Sequence, residues 1–305
     1  MFQSLTVLVT GATGKQGGAV ARLLLKRGHH VLALTRSPES SEARALEQRG
    51  AKLVQGDLED PDSLEQAMSR VDAVFAMATP FGPGGLEGEV RQGRHLIDAA
   101  RFAHVRHFLY SSVAGAGQDT GVPHFEPKRV VEEHLRHSGL RHTIVAPTFF
   151  MENFLGPLYA QRLHEGVLAM ALPRHRGLQM VCTADLATCC ARILEWPEMF
   201  SGRRLEIASD EVTGEQAAAL ISYVSGHKLH YEEVPLEVLY SRCENRGHLF
   251  EWLNRVGYQA DIPVLRRDHA SVGWHTFEDW ARVQSWNGLL NTPWRGPLAA
   301  EPSLL

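Results

Sequence analysis

Apolar and polar positions alternate along the first half of this chain in two periods. Val7-Leu8-Val9 is a short apolar run that stops at Gly11. Ala19 to Arg27 then shows helical spacing, closed by Gly28 as a C-cap glycine. The same pair of patterns recurs. His30–Arg36, Ala51–Asp57, Val71–Ala78, His107–Ser112 and Arg141–Pro147 read as strands. Glu42–Arg49, the stretch from Asp60 with Pro61 near its first position, Glu87–Ala103 and Lys128–His137 read as helices. Strands alternating with helices predict an α/β fold, a doubly wound parallel sheet with helices on both faces. In such sheets a ligand lies beyond the carboxyl ends of the strands, where the strand order reverses.

The pattern loosens after Pro147. Strands are expected near Leu178–Cys182, Arg204–Ser209 and His230–Val234. Asp185 is placed to cap a helix over Leu186–Glu195, and Thr213-Gly-Glu-Gln216 has capping-box spacing. Helices follow at Leu236–Arg246, His248–Val256 and from Thr276. The expected organisation is a dinucleotide-binding domain over 1–150, a mixed substrate or lid region over 151–285 with segments returning to the main sheet, and an irregular tail over 286–305.

Composition narrows the classes of function. With 305 residues and a net charge of −4, nothing favours nucleic-acid binding. No apolar run has membrane-spanning length, and the chain enters its first strand at once, so neither a membrane anchor nor a signal peptide is expected. Cys182, Cys189, Cys190 and Cys243 include no Cys-x-x-Cys pair. A reduced, cytoplasmic protein is the simplest expectation. The sixteen histidines are scattered, His134 and His137 fit a solvated helix face, and no metal site is expected.

The glycine turn carries the first chemistry. Gly11-x-x-Gly14-x-x-Gly17 lies between a strand and a helix, and the helix start offers unpaired amides and a favourable dipole to an anion. A dinucleotide pyrophosphate is the expected guest, with a ligand-free tight turn as the alternative. At the end of the second strand an acidic residue would grip the ribose of NAD; Thr35 and Arg36 stand there instead. A guanidinium holds a 2′-phosphate by paired hydrogen bonds, so Arg36 favours NADP(H) over NAD, unless it is a plain surface arginine. Lys15 adds positive charge near the phosphates. Asp57, with Leu58 beside it, closes the third strand where adenine is expected, and Thr79 closes the fourth.

Thr10-Gly-Ala-Thr-Gly-Lys-Gln-Gly17, Arg36, Gly56-Asp57 and Pro147-Thr-Phe-Phe-Met-Glu-Asn153 together resemble the NmrA-like family, an atypical branch of the short-chain dehydrogenase/reductase superfamily. The resemblance runs from residue 4 to about residue 284. It implies a Rossmann domain, a small C-terminal domain and NADP in the cleft between them. The cofactor contacts it implies fall on Gly11, Thr13, Gly14, Lys15, Gln16, Arg36, Asp57, Lys128, Phe150, Met151, Glu152 and Asn153.

Typical short-chain dehydrogenases resemble one another in a Tyr-x-x-x-Lys pair with an upstream serine. Lys128 has the lysine's setting, but His124 stands four residues before it where the tyrosine would be. Ser111 and Ser112 occupy the serine region, and Tyr110 stands at the wrong place. Lys128 is thus expected to bind ribose rather than act as a base. Two readings stay open. One is a reductase of a small organic acceptor (a quinone, activated alkene or imine) with His124 as a candidate proton donor at neutral pH. The other is a redox sensor that binds NADP(H) without turnover and regulates a protein partner, with His124 a loop residue of no role. Phe149, Phe150, Met151, Trp252 and Trp274 are candidates for a pocket or for core. The expected partners are a small-molecule substrate or a protein, with a homodimer open.

Overall fold

The computed structural model describes residues 4–291. The chain forms two compact units. The first comprises residues up to Gly117, then His124–Ala146 and Leu186–Glu206; the second comprises Gln118–Pro123, Pro147–Asp185 and the chain from Ile207.

The first unit alternates strands and helices in chain order: β1 (Thr6–Val9), α1 (Lys15–Lys26), β2 (His30–Thr35), α2 (Ser41–Glu47), β3 (Lys52–Gln55), α3 (Pro61–Met68), β4 (Ala73–Ala76), α4 (Gly85–Phe102), β5 (His107–Ser111), α5 (Glu126–His137) and β6 (His142–Pro147). A strand at Arg204–Ile207 completes a seven-stranded sheet, lying beside β6 at one edge. From that edge the order runs β6, β5, β4, β1, β2, β3. The pairs from β3 to β6 are parallel, in registers such as Val7 with Val31 and Val7 with Ala73. Chain order therefore reverses between β1 and β4, which creates the crevice that doubly wound sheets use for ligands.

The central strands β1, β4, β5 and β6 are buried and largely apolar, as strands covered on both faces must be, whereas β3 and Arg204–Ile207 at the two edges are half-buried. Leu64, Met68, Leu96, Ile97, Val131 and Leu135 of α3, α4 and α5 meet Leu8, Val74, Phe108 and Ile144 in one core cluster. Each large side chain buried this way contributes about 1.5–3 kcal/mol. Local chemistry sets the helix starts. Ser40 caps α2 and Asp60 caps α3, whose Pro61 needs no amide partner in the first turn.

In the second unit, Phe149–Phe150 and Asp210–Thr213 flank Gly177–Val181 in a three-stranded sheet. His230–Glu233 pairs in parallel with Val167–Met170. Thr213 and Gln216 form a full capping box on helix Gly214–Ser225, and Thr276 with Asp279 forms another on Phe277–Arg282. Phe154, Tyr159, Phe277, Trp280 and Trp286 make a chain of aromatic contacts, with centroids 5.1–5.8 Å apart. Trp252 is 2% exposed and Trp274 is buried too, so both serve core packing.

Two expectations change here. Asp185 does not cap the helix; that helix spans Thr183–Glu195 and holds Asp185 within its first turn. Its carboxylate is taken by Ser209 Oγ at 2.6 Å and by the backbone N and ring Nδ1 of His275 at 2.9 and 2.5 Å. The stretch from Trp286, expected to be irregular, is helical over Trp286–Asn291. Burial explains it: Trp286 is 3% exposed and its Nε1 donates to Ala281 O at 2.7 Å. Residues 292–305 of the expected tail lie outside the described residues. Among the described residues, no helix is long and apolar enough to cross a membrane.

Candidate functional site

The turn after β1 is built for close approach. Thr10 Oγ1 donates to Met77 O at 2.9 Å and accepts from Met77 N at 2.8 Å, tying the exits of β1 and β4. Gly11 has φ +59°, a left-handed conformation that favours glycine, and its carbonyl accepts from Gly14 N at 2.9 Å. Gly14 takes the N-cap of α1 with no side chain to cap it. A Cβ on Gly17 would lie 2.6 Å from both the Gly11 carbonyl carbon and Thr10 O, so Gly17 lets α1 rest on the turn. A Cβ on Gly14 would meet only Gly11 O, at 3.3 Å. Thr13, Gly14 and Lys15 are exposed, whereas Gln16 is buried and accepts from Ser111 Oγ at 2.9 Å. An exposed, uncapped helix start fits an anionic pyrophosphate.

From this turn a cavity of about 510 Å³ extends along the exits of β1, β2, β3 and β4. Thr10, Gly11, Thr13, Arg36, Asp57, Leu58 and Thr79 line it. Arg36 is exposed and in no ion pair among the described residues. Asp57 is held by its own loop: its backbone N donates to Ser63 Oγ at 3.1 Å, and its Oδ1 accepts from Glu59 N at 3.0 Å. Leu58 O receives the His95 ring at 2.9 Å.

Beyond the exits of β4 and β5, the lysine and serines of the dehydrogenase pattern are engaged. Lys128 is 5% exposed, in an ion pair with Glu89 at 2.6 Å, and it donates to Ala78 O at 2.8 Å. Ser112 Oγ donates to Glu132 Oε1, which also faces Arg204. Arg204 in turn donates to Val113 O at 3.0 Å, and Gly115 N donates to Glu206 at 3.0 Å, so the loop after β5 is pinned. Tyr110 is buried, with a hydroxyl that finds no hydrogen-bond partner among the described residues. Burial first, then the charges of Glu89 and Glu132, pushes its pKa well up, which keeps it a neutral phenol. His124 lies in the short turn Pro123–Phe125, 4% exposed, with its ring centroid 4.9 Å from that of Phe125 and 6.0 Å from that of Phe81. It is therefore not an exposed loop residue.

The remaining candidates belong to the second unit. Phe150 ends the two-residue strand Phe149–Phe150, and Met151, Glu152 and Asn153 open the turn Met151–Leu155. Phe150, Met151 and Asn153 are buried. Glu152 Oε1 accepts from Thr183 N at 2.9 Å and Thr183 Oγ1 at 2.8 Å, holding a helix start. The same unit brings the Cys182 thiol to 3.9 Å from His275 Nδ1, the nitrogen that also meets Asp185.

Sequence reading missed Glu89. The signal was available: Glu89 stands on the apolar stripe of α4 with Gly93, Leu96, Ile97 and Ala100, where a carboxylate needs a partner.

The model of the NmrA-like family matches residues 3–281. The chain belongs to the NmrA-like family. Among its relatives, the NAD(P)H azoreductase of Xenophilus azovorans is 32% identical over 232 residues, which is 76% of this chain and 78% of that protein. The solved structure of NmrA, a negative transcriptional regulator in complex with NADP, superposes with a TM-score of 0.78 at 22% identity, over 94% of this chain and 97% of that one. An NADPH-dependent quinone oxidoreductase from Escherichia coli superposes with a TM-score of 0.75 at 23% identity, over 90% and 98%. At these identities the structural likeness is one of fold. The proteins this chain is similar to thus include an NAD(P)H azoreductase by sequence and, by fold alone, a transcriptional regulator and a quinone oxidoreductase.

Proposed function

We propose that this NmrA-like protein binds NADP(H) across the first unit and is an NADPH-dependent reductase of a small organic acceptor. The observation that carries the cofactor reading is Arg36, exposed at the exit of β2 on the wall of the cavity that begins at the Gly11–Gly17 turn. In this reading the amides at the start of α1 bind the pyrophosphate, Arg36 binds the 2′-phosphate, and Asp57 and Leu58 border adenine. Bound NADPH would supply a hydride, and the acceptor takes up that hydride plus one proton. The chain's part is to bind and orient both molecules and to let the proton in. The azoreductase relative, an NAD(P)H-using reductase, supports the reductase reading and adds azo compounds to the acceptors worth testing.

A specific observation favours a second reading, a sensor that binds NADP(H) without turnover. No tyrosine stands four residues before Lys128, Tyr110 is sealed in the core, and Ser111, Ser112 and Lys128 are already hydrogen-bonded. Stopped-flow oxidation of NADPH against a panel of quinones, azo dyes, enones and imines separates the two. Turnover with any of these supports the reductase. No oxidation by a protein that binds NADPH rejects it in favour of the sensor. His124→Ala should keep NADPH affinity and, if His124 delivers the proton, slow turnover by about 10²–10⁴-fold.

A further inference from the structure

Lys128 sits where a ribose-binding lysine is expected, yet its ammonium is already surrounded by three oxygens of the chain. Glu89 Oε1 lies at 2.6 Å, Ala78 O at 2.8 Å and Ser111 O at 3.5 Å. An ammonium has three hydrogens to give. The Lys128 and Glu89 side chains are 6% and 0% exposed. The ring of Tyr110 adds an apolar wall 5.6 Å away.

The positions of these oxygens matter. Ser111 ends β5, and Ala78 lies just past β4, its neighbour in the sheet. Lys128, on α5, therefore staples two strand exits together, and Glu89, on α4, supplies the matching charge. Ala78 and Thr79 also line the cavity, so the staple sets one of its walls. A buried ion pair is a weak source of stability compared with apolar packing in the same space. Removing one partner, however, strands the other charge. The arrangement suits a job of geometry.

Doubly wound sheets bind a dinucleotide as two mononucleotides, one on each side of the switch point. The Arg36 cavity occupies the side of β1, β2 and β3 and reaches the β4 exit, where Ala78 is the one staple residue that lines it. The staple occupies the exits of β4 and β5. We propose that Glu89 is a positioning residue for the nicotinamide half of the site: it fixes Lys128 as a bridge between the two strand exits against which that half rests. The inference rests on the NADP(H) reading above.

The test compares two probes on the full-length protein. 2′,5′-ADP reports the adenosine half alone, and NADPH reports both halves. Wild type should bind both. Glu89→Gln should hold 2′,5′-ADP affinity within about twofold and lower NADPH affinity by about tenfold or more, a change of at least ~1.4 kcal/mol. Glu89→Asp, which keeps the charge, should recover part of the loss. Should Glu89→Gln unfold because a lone ammonium is left buried, the double variant Glu89→Gln/Lys128→Met removes both charges; it should regain the wild-type melting temperature and still show the split. Equal affinity of Glu89→Gln and wild type for NADPH overturns the proposal. So does an equal loss for both probes in a folded variant, which makes the pair a scaffold element only. Failure of wild type to bind either probe overturns the cofactor reading itself.

Discussion

A Cβ built on Gly93 would lie 2.5 Å from Cγ2 and 2.7 Å from Cγ1 of Val131. The two residues set the spacing of α4 and α5, the helices that carry Glu89 and Lys128. Glycine inside a helix normally costs about 0.5–1 kcal/mol relative to alanine. Here that order should invert. Gly93→Ala is expected to destabilise by about 1–3 kcal/mol through overpacking, despite its better helix propensity. Urea unfolding of the variant checks this, and a rise in stability would show that α4 can move away without cost.

Arg36→Ala should weaken NADPH binding far more than NADH binding. A hydrogen bond to a charged group is worth on the order of 1.5–3 kcal/mol, about ten- to a hundredfold in affinity. Titration calorimetry with both dinucleotides measures it. Equal losses for the two would take the 2′-phosphate away from Arg36.

Gly14 and Gly17 should fail in different ways. At Gly17 an added Cβ meets backbone atoms of Gly11 and Thr10 at 2.6 Å. Gly17→Ala is therefore expected to lower the melting temperature of the protein without any ligand. At Gly14 the added atom reaches only Gly11 O, at 3.3 Å, and the backbone is extended. Gly14→Val should melt close to wild type and lose the upward shift that NADPH gives, since a ligand stabilises only the state it binds. A full NADPH shift in Gly14→Val would place the pyrophosphate elsewhere.

His107 makes stability depend on pH. It is 1% exposed on β5, and its Nε2 donates to Thr143 Oγ1 at 3.0 Å, because the Thr143 hydroxyl is given to Phe200 O at 2.8 Å. Burial, helped by the charges of Arg141 and His142, lowers its pKa from 6.5 to about 4. Between those values the unfolded chain binds a proton that the folded chain refuses. Stability should therefore fall as the pH drops through this window, by up to about 3 kcal/mol from this residue. His107→Gln does not titrate, so its urea midpoint should drop less than that of wild type over the same range. Parallel pH profiles would show that the folded protein accepts the proton.

Much of the first unit is written in short-range patterns. The apolar runs of β1 to β6 and Asp60 followed by Pro61 at the start of α3 are local signals, and Arg36 follows from knowing where β2 ends. What was not legible depends on distant partners. The carboxylate of Glu89 becomes meaningful only when Lys128, on another helix, is beside it. Asp185 carries a capping signature, yet His275, far along the chain, claims its oxygens. Phe149–Phe150 is too short to show a strand period, and Ile262–Asp268 hides a helix behind Pro263 at its start.

The strand Arg204–Ile207 completes the first sheet from a point in the chain well past the Pro147–Asp185 segment of the second unit. During synthesis on a ribosome, β1 to β6 therefore emerge with an open edge at β6. Part of the second unit is made before the strand that closes the first. The nascent chain must hold that edge clear of other strands until Ile207 has left the exit tunnel, and a gene cut after residue 150 would make the unfinished form permanent.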